Sequence, residues 1–292
     1  ALKEIDQAVE FGTKYGVHVN INFHRAPGYC VNPPSEPLSL WEDEEALEAC
    51  EHHWRLFAER YKGIPSTQVS FNLLNEPFES RGWNMTTYKR FVERMLRAIR
   101  EIDPNRLVIA DGFITRGHYE PILGIDDPLL GQSFHMYQPP WLTHLGASWT
   151  GPWYIYEEQP EYPGIAPNLD KYVRTYPKYR GAYSGWQCLR LDRAWLENWM
   201  KPYLRLKEEK GIVIHCGELG VYARKVPRRS QINWYRDVLD ILTRHKVGWA
   251  QWNLRGPFGI INTGREEFHR ETLPNGDRLD RELLNLIRSY LK

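Results

Sequence analysis

Polar side chains suited to catalysis follow several apolar runs of this sequence. Asn75 and Glu76 come directly after one run, Glu218 closes another, and His24 follows a third. Other runs end in the same way, at His135 with Tyr137 and at Trp252. Two carboxylates accompanied by an amide, imidazoles, a phenol and an indole can perform general acid/base and nucleophilic chemistry on a polyhydroxylated substrate.

The elements that must position these groups are short strands alternating with helices. Stretches with apolar residues every three or four positions separate the strand-like runs, which predicts a parallel sheet, either a barrel or an open doubly wound sheet. In a barrel the carboxyl ends of all strands lie on one face, so Glu76 and Glu218 can meet although they are distant in sequence. The six predicted strands comprise residues 17–23, 69–74, 107–110, a run ending at 135, 212–218 and 248–252.

The segments between these strands carry further expectations. A short helix is predicted at residues 121–123, and a helix over 192–210 contains Pro202. Residues 137–190 are dense in Pro, Gly, Tyr and Trp without periodicity, which is typical of a functional loop, so we expect them to form a wall or lid of the site. The whole chain, 1–292, is predicted to be a single domain.

Composition excludes several classes of protein. With 38 Lys plus Arg against 37 Asp plus Glu the net charge is +1, which argues against nucleic-acid binding, and no apolar run reaches the roughly 20 residues of a membrane span. The four cysteines form no CxxC pair, so we expect neither a zinc site nor a disulfide scaffold, and no cofactor. Gly217 and Gly220 lack the spacing of a phosphate-binding loop.

Each candidate has an ordinary structural explanation when taken alone. Glu76 could be a surface residue at a strand end, and Glu218 an acid between two glycines. His24 and His135 could be core histidines, and Trp252 could belong to the core. Packing explains the set less well, because five of six strands would each have to end in a suitable polar group.

The strand-end motifs resemble those of a known enzyme family. Residues 71–77 (FNLLNEP), 135–137 (HMY), 215–220 (HCGELG) and 249–253 (WAQWN) are similar, in order, to the signatures of glycoside hydrolase family 5, which includes many endoglucanases and mannanases. The resemblance implies a (β/α)8 barrel that hydrolyses β-glycosidic bonds with retention of configuration.

The resemblance also implies a role for each matched residue. Glu76 would be the general acid/base, Asn75 would contact the sugar 2-hydroxyl, and Glu218 would be the nucleophile. Retention requires carboxyl groups about 5 to 5.5 Å apart, so one pKa is raised, and we expect it to be that of Glu76. The remaining roles are positioning of the carboxylates by His135 and Tyr137, lining of the nearest subsite by His24 and a sugar platform at Trp252.

The sequence departs from the family pattern at its start. It begins at the helix after the family's second strand, so we expect an incomplete barrel of about six strands. The family's second-strand Arg has no counterpart, since neither Arg25 nor Arg255 occupies that position. The two explanations are a truncation and a self-standing incomplete barrel. Both leave sheet edges that a homo-oligomer could cover.

The aromatic residues, 13% of the chain, bear on the substrate. Rings in the 137–190 segment could stack on the sugars of a β-linked polysaccharide, half of them packing the segment instead. We expect an endo-β-1,4-glucanase; β-mannanase, xyloglucanase and exo-β-glucosidase are the alternatives within the family. The sequence does not give the compartment, because any secretion signal would lie before residue 1, whereas the family resemblance suggests secretion. The rings are Trp141, which we take as substrate-binding, with Trp149, Trp153, Tyr154, Tyr156 and Trp186, and more weakly Trp41 and Trp83.

Two alternatives belong to other classes. A catalytically impaired carbohydrate-binding barrel would follow from the missing Arg, although the retained glutamates argue against it. A metal-dependent hydrolase would use histidines such as His18 and His24, but six residues separate them along one strand, too far for joint ligation.

Overall fold

The computed structural model of the protein describes residues 2–78, 83–115, 117–186 and 189–291. These residues divide into two compact units. Unit 1 contains residues 1–134 and 205–215, and unit 2 contains residues 135–204 and 216–292.

Six strands of the main sheet follow one another in chain order, as the sequence predicted. In unit 1 the first four strands are neighbours in that order, and the pairs with a described register are parallel. The residue just before the fifth strand pairs with the fourth strand in the same unit: the Gln132 N–H donates to the Val213 carbonyl at 2.8 Å. In unit 2 the sixth strand is the neighbour of the fifth. The strands are β1 Val19–Asn22, β2 Val69–Asn72, β3 Val108–Asp111, β4 Leu130–Met136, β5 Ile214–Leu219 and β6 Gly248–Gln251.

Helices lie at the predicted places before β1, after β6 and between consecutive strands, except between β3 and β4. Each buries the face that carries its apolar residues every three or four positions; the third helix, for example, buries Tyr88, Phe91, Met95 and Ile99 and is capped by Asn84, which accepts the Thr87 N–H at 3.1 Å. The helices are α1 Leu2–Tyr15, α2 Glu44–Arg60, α3 Met85–Arg100, α4 Arg193–Lys210, α5 Arg228–Arg244 and α6 Arg281–Arg288.

Unit 1 has a continuous apolar core between its sheet and helices α2 and α3. Trp54, Phe71 and Met95 are fully buried in it, and each contributes about 1.5–3 kcal/mol by leaving water. Arg106, also buried, donates to the carbonyls of Tyr61 and Val69 at 2.8 and 2.6 Å. The apolar core and the hydrogen bonds of Arg106 therefore hold the strands of unit 1 in place, and with them the residues at their carboxyl ends.

The prediction of a short helix at residues 121–123 is wrong. That stretch has no regular structure, and the chain before it forms an antiparallel hairpin of Phe113–Thr115 with His118–Glu120. Strands of three residues are too short for their alternation to be visible in the sequence.

Residues 137–190 are also more regular than a loop. Unit 2 packs much of this segment around buried rings, among them Tyr156, Tyr172 and Tyr183. Its aromatic content therefore serves partly as a core. The segment contains helices Pro140–Thr143, Asp170–Thr175 and Arg180–Tyr183, 3-10 turns Ser148–Thr150 and Pro177–Tyr179, and strand Gly164–Ile165 paired with Arg190–Leu191.

Small elements complete the described chain. The structure also bears on membrane insertion. Among the described residues, none of the helices has the length and hydrophobicity that a membrane crossing requires. Cys30, Cys50 and Cys216 are not joined in disulfide bonds among the described residues, and Cys188 lies outside those residues. The remaining elements are strands Arg25–Ala26 with Tyr29–Cys30 and Glu271–Thr272 with Arg278–Leu279, and the 3-10 turn Glu266–Phe268.

Candidate active site

The carboxyl ends of β1 and β2 are tied together in unit 1. The Asn75 N–H donates to the Phe23 carbonyl at 2.9 Å. His24 follows Phe23 in a half-buried bend. The sequence-predicted residues His24, Asn75 and Glu76 thus lie on one edge of unit 1.

Asn75 offers an unused pair of hydrogen-bonding groups. Its side chain is 1% exposed, and neither its carbonyl oxygen nor its amide nitrogen has a hydrogen-bond partner among the described residues. Leaving such a group unpaired costs about 1–3 kcal/mol. A donor and an acceptor kept available at this cost are suited to a hydroxyl group of a bound molecule.

Glu76 has a left-handed backbone, which is unusual for a residue other than glycine. Its φ is 49°, a conformation that costs about 1–3 kcal/mol and often marks functional sites. Hydrogen bonds hold this turn on both sides: the Glu76 N–H donates to Asp111 Oδ2 at 3.0 Å, and the Glu76 carbonyl accepts the Tyr29 hydroxyl at 2.6 Å. The direction of the Glu76 side chain is therefore set by its neighbours.

A row of polar side chains across three adjacent strands supports this turn. Asn22 donates to Asn72 Oδ1 at 2.7 Å, and Asn72 Nδ2 donates to Asp111 Oδ1 at 2.7 Å. Asp111 is fully buried at the end of β3, and its carbonyl accepts the Tyr88 hydroxyl at 2.8 Å. The row connects the backbone of Glu76 to the sheet.

Two phenols lie close to Glu76. Tyr119, in the hairpin after β3, donates to Glu76 Oε1 at 2.8 Å. Burial, and then the nearby charges of Glu76 and Asp111, raise the pKa of Tyr29 well above its ordinary value. Tyr29 therefore keeps its proton and remains a donor to the Glu76 carbonyl.

In unit 2, Glu218 near the end of β5 has its own donors. The Tyr137 hydroxyl donates to Glu218 Oε2 at 2.7 Å, and His135 Nδ1 lies 3.6 Å from the same oxygen. Cys216 Sγ donates to the Glu218 carbonyl at 3.3 Å. A phenolic donor stabilises the ionised form of a carboxylate, which is the form needed for nucleophilic attack.

Aromatic packing fixes the position of Tyr137. Its ring meets Phe258 edge-on at 5.7 Å between centroids and His144 at 5.0 Å. Trp149, which is 62% exposed, packs on Phe258 at 6.2 Å. A continuous cluster of rings therefore leads from an exposed indole to the tyrosine that contacts Glu218.

Trp252 lies at the end of β6, where the backbone requires a glycine nearby. The Trp252 N–H donates to the Leu219 carbonyl at 2.9 Å, and the indole is 37% exposed. A Cβ atom on Gly220 would lie 2.5 Å from the Trp252 carbonyl oxygen, closer than atoms can approach. The absence of a side chain at Gly220 is what permits this contact.

Trp141 differs from the expected substrate platform. It is fully buried in unit 2, with its ring edge-on to Trp186 at 6.2 Å. A ring without an accessible face cannot stack on a sugar, so this placement contradicts the expectation. Among the other candidates in the segment, Trp153 and Tyr156 are buried, whereas Trp149 and Tyr154 are exposed.

The two arginines that we did not match to the family's Arg are engaged elsewhere. Arg25 donates to the carbonyls of Asn32 and Pro34, both at 3.0 Å. Arg255 binds the carboxylate of Asp277 at 2.6 Å. His18 is occupied as well, because its ring nitrogens lie 3.0 Å from a carbonyl oxygen and 2.7 Å from a hydroxyl.

Sequence reasoning missed Asp111, Tyr119 and Phe258. Asp111 carried a visible signal, since it is the polar residue that directly follows the run at 107–110. Tyr119 and Phe258 carried none, because only tertiary packing brings them to Glu76 and Tyr137.

Several known proteins are similar to this chain. The family model Cellulase (glycosyl hydrolase family 5) matches residues 1–256. Endoglucanase C of Acetivibrio thermocellus is 29% identical over 273 residues, which cover 92% of this chain and 78% of that protein. Cellodextrinase A of Ruminococcus flavefaciens is 22% identical over 248 residues, 83% of this chain and 64% of that protein. A solved structure described as a glycoside hydrolase has a TM-score of 0.81 and 32% identity, covering 98% of this chain and 80% of that one.

The strand order and these matches define the class of protein. Six parallel strands in chain order, without the reversal of a doubly wound sheet, confirm the (β/α) barrel type, with six main-sheet strands among the described residues. The protein is a hydrolase of O-glycosyl bonds, for which the family implies a polysaccharide substrate. The chain belongs to glycosyl hydrolase family 5.

Proposed function

We propose that this protein is an endo-β-1,4-glucanase that retains configuration by double displacement, with Glu76 and Glu218 as its catalytic pair. The observation that carries the proposal is the matched setting of the two acids. Each lies at the carboxyl end of a main-sheet strand, and each has one carboxylate oxygen bound to a tyrosine hydroxyl.

Glu218 and Glu76 divide the chemistry in two steps. In the first, a Glu218 oxygen bonds to the anomeric carbon while the glycosidic C–O bond breaks and Glu76 gives its proton to the leaving oxygen. In the second, Glu76 takes a proton from water, whose oxygen bonds to the anomeric carbon as the Glu218–carbon bond breaks. The pKa of Glu76 must therefore lie above that of Glu218 in the free enzyme.

The neighbouring residues bind and orient the sugar. Asn75 receives the 2-hydroxyl, supported by its two unpartnered buried groups. His24 lines the subsite nearest the scissile bond, and Trp252 provides a partly exposed indole for that sugar. His135 and Tyr137 hold Glu218 in its ionised form.

The substrate is assigned from relatives and from the exposed rings. The names of two relatives, Endoglucanase C and Cellodextrinase A, favour a glucan or cellodextrin substrate. Trp149 and Tyr154 give unit 2 exposed rings that suit an extended chain. Release of sugars from carboxymethyl cellulose, glucomannan, xyloglucan and nitrophenyl glucosides separates the glucanase from the mannanase, xyloglucanase and exo-β-glucosidase alternatives.

Azide rescue tests the two roles separately. Glu76→Ala and Glu218→Ala should each abolish most hydrolysis of cello-oligosaccharides. With an activated aryl cellobioside, azide should yield the β-glycosyl azide from Glu76→Ala and the inverted α-azide from Glu218→Ala. The exposed Glu59 on α2 provides a matched control, as Glu59→Ala should retain full activity. Near wild-type hydrolysis by either catalytic variant would refute the assignment.

Sugar release and treatment with EDTA test the two alternatives that belong to other classes of protein. A carbohydrate-binding barrel without catalysis would bind cello-oligosaccharides but release no sugar from any substrate. A metal-dependent hydrolase would lose activity in EDTA, whereas the carboxylate mechanism would not.

We also propose that residues 1–292 act as one catalytic domain and that self-association covers the edge strands. Among the described residues β1 has a main-sheet neighbour on one side, as does β6, and such edges favour association. Light scattering should detect an oligomer, and an active, monodisperse monomer at micromolar concentration would count against it.

A further inference from the structure

The hairpin after β3 is fixed to the turn that carries Glu76. Its first strand, Phe113–Thr115, is tied back by the Ile114 N–H, which donates to the Pro77 carbonyl at 2.7 Å. Ile114 is the register partner of Tyr119 on the second strand. A side chain at position 119 is therefore held at a defined distance from Glu76 by backbone hydrogen bonds.

Tyr119 uses this position to bind one oxygen of the acid. Its hydroxyl donates to Glu76 Oε1 at 2.8 Å, while Asp111 and Tyr29 hold the Glu76 backbone at the N–H and the carbonyl. Because hydrogen bonds hold the Glu76 main chain, only the torsions of its side chain are left to rotate. The hydrogen bond from Tyr119 restricts these torsions.

We infer that Tyr119 is a positioning residue that occupies Oε1 of Glu76, so that the proton passed to the leaving group is carried on Oε2. This inference rests on the proposed role of Glu76 as the general acid/base. An oxygen that accepts a hydrogen bond from a phenol is the poorer site for the acid proton, because the O–H oxygen of a carboxylic acid is a weaker acceptor than its carbonyl oxygen.

The same bond has a consequence for pH dependence. A donor on Oε1 stabilises the ionised carboxylate, so its removal raises the pKa of Glu76. The acid must be protonated in the free enzyme, and the alkaline limb of kcat/KM reports this ionisation. Loss of the phenol should therefore move the alkaline limb to higher pH.

Tyr119→Phe removes the hydroxyl and keeps the ring. On cello-oligosaccharides, whose leaving alcohol needs a proton, kcat/KM should fall roughly ten- to a hundred-fold, the range for one hydrogen bond to a charged group. On 2,4-dinitrophenyl cellobioside, whose leaving group departs without a proton, kcat/KM should stay within about twofold. Tyr15→Phe makes the same change at an exposed position and should alter neither rate.

A double variant separates this role from a structural one. In a Glu76→Ala background, Tyr119→Phe should have no further effect on either substrate, because the carboxylate through which it acts is absent. Equal losses on both substrates, a fixed alkaline limb, or additive losses in the double variant would overturn the inference. If Glu76→Ala itself keeps oligosaccharide hydrolysis, the proposed function fails; if only Tyr119→Phe behaves like wild type, the inference alone fails.

Discussion

The role of Asp111 can be tested by one substitution, Asp111→Asn. Its carboxylate accepts two donors, the Glu76 N–H and Asn72 Nδ2, and it is fully buried. An amide has one oxygen and one NH2 group, so either orientation of the introduced amide sets a donor against a donor. If the Asn72 and Asn22 amides turn as well, each donor again meets an acceptor, and what the substitution removes is the negative charge of the acceptor.

The expected magnitude follows from this loss of charge. Two hydrogen bonds to a carboxylate become two to a neutral amide, which costs about 1–3 kcal/mol in total, comparable with the about 1–3 kcal/mol needed to hold a left-handed turn at Glu76. Since about 1.4 kcal/mol is a factor of ten, kcat on cello-oligosaccharides should fall roughly ten- to a hundred-fold. At about 2–4 °C per kcal/mol for a large domain, Tm should fall by about 2–12 °C.

A compensating exchange makes the test sharper. In the double variant Asp111→Asn with Asn72→Asp, the new amide oxygen can accept the Glu76 N–H while its NH2 group donates to the new carboxylate. The second oxygen of that carboxylate can accept the Asn22 amide. Activity and Tm should recover above those of Asp111→Asn. The exposed Asp126 provides the control Asp126→Asn, which should change neither. Wild-type kcat in Asp111→Asn, or no recovery in the exchange, would refute the reasoning.

Two further predictions concern unit 2. Gly220→Ala should lower Tm and kcat together, because its Cβ would meet the Trp252 carbonyl oxygen at 2.5 Å; Gly181→Ala, with no atom within 4 Å of the new Cβ, should change neither, and equal effects would contradict the argument. Tyr137→Phe removes the donor to Glu218 and so raises the pKa of this carboxyl, which should move the acidic limb of the kcat/KM profile to higher pH; an unmoved limb would contradict that role.

The sequence could predict the main sheet because its strands are apolar runs separated by helices with clear periodicity. The hairpin that carries Tyr119 could not be predicted in this way, because three residues are too few to show a period. Residues 137–190 looked irregular because their order comes from packed rings and short helices. Trp141 shows the same limit, since a tryptophan that binds a sugar and one that fills a core are alike in sequence.

For the site, the sequence could supply the candidate glutamates and their order along the chain. It could not show the left-handed backbone of Glu76 or the row of Asn22, Asn72 and Asp111 that holds it. These features depend on side chains of neighbouring strands lying opposite one another. The register between the strands, which the sequence does not show, decides which residues do so.

The most direct test of the central claim is the configuration of the product first released. When proton NMR follows hydrolysis of a cello-oligosaccharide, the β-anomer should appear before mutarotation produces the α-anomer, because two displacements by Glu218 and then water restore the configuration. Initial release of the α-anomer would mean a single displacement and would contradict the proposed roles of Glu218 and Glu76.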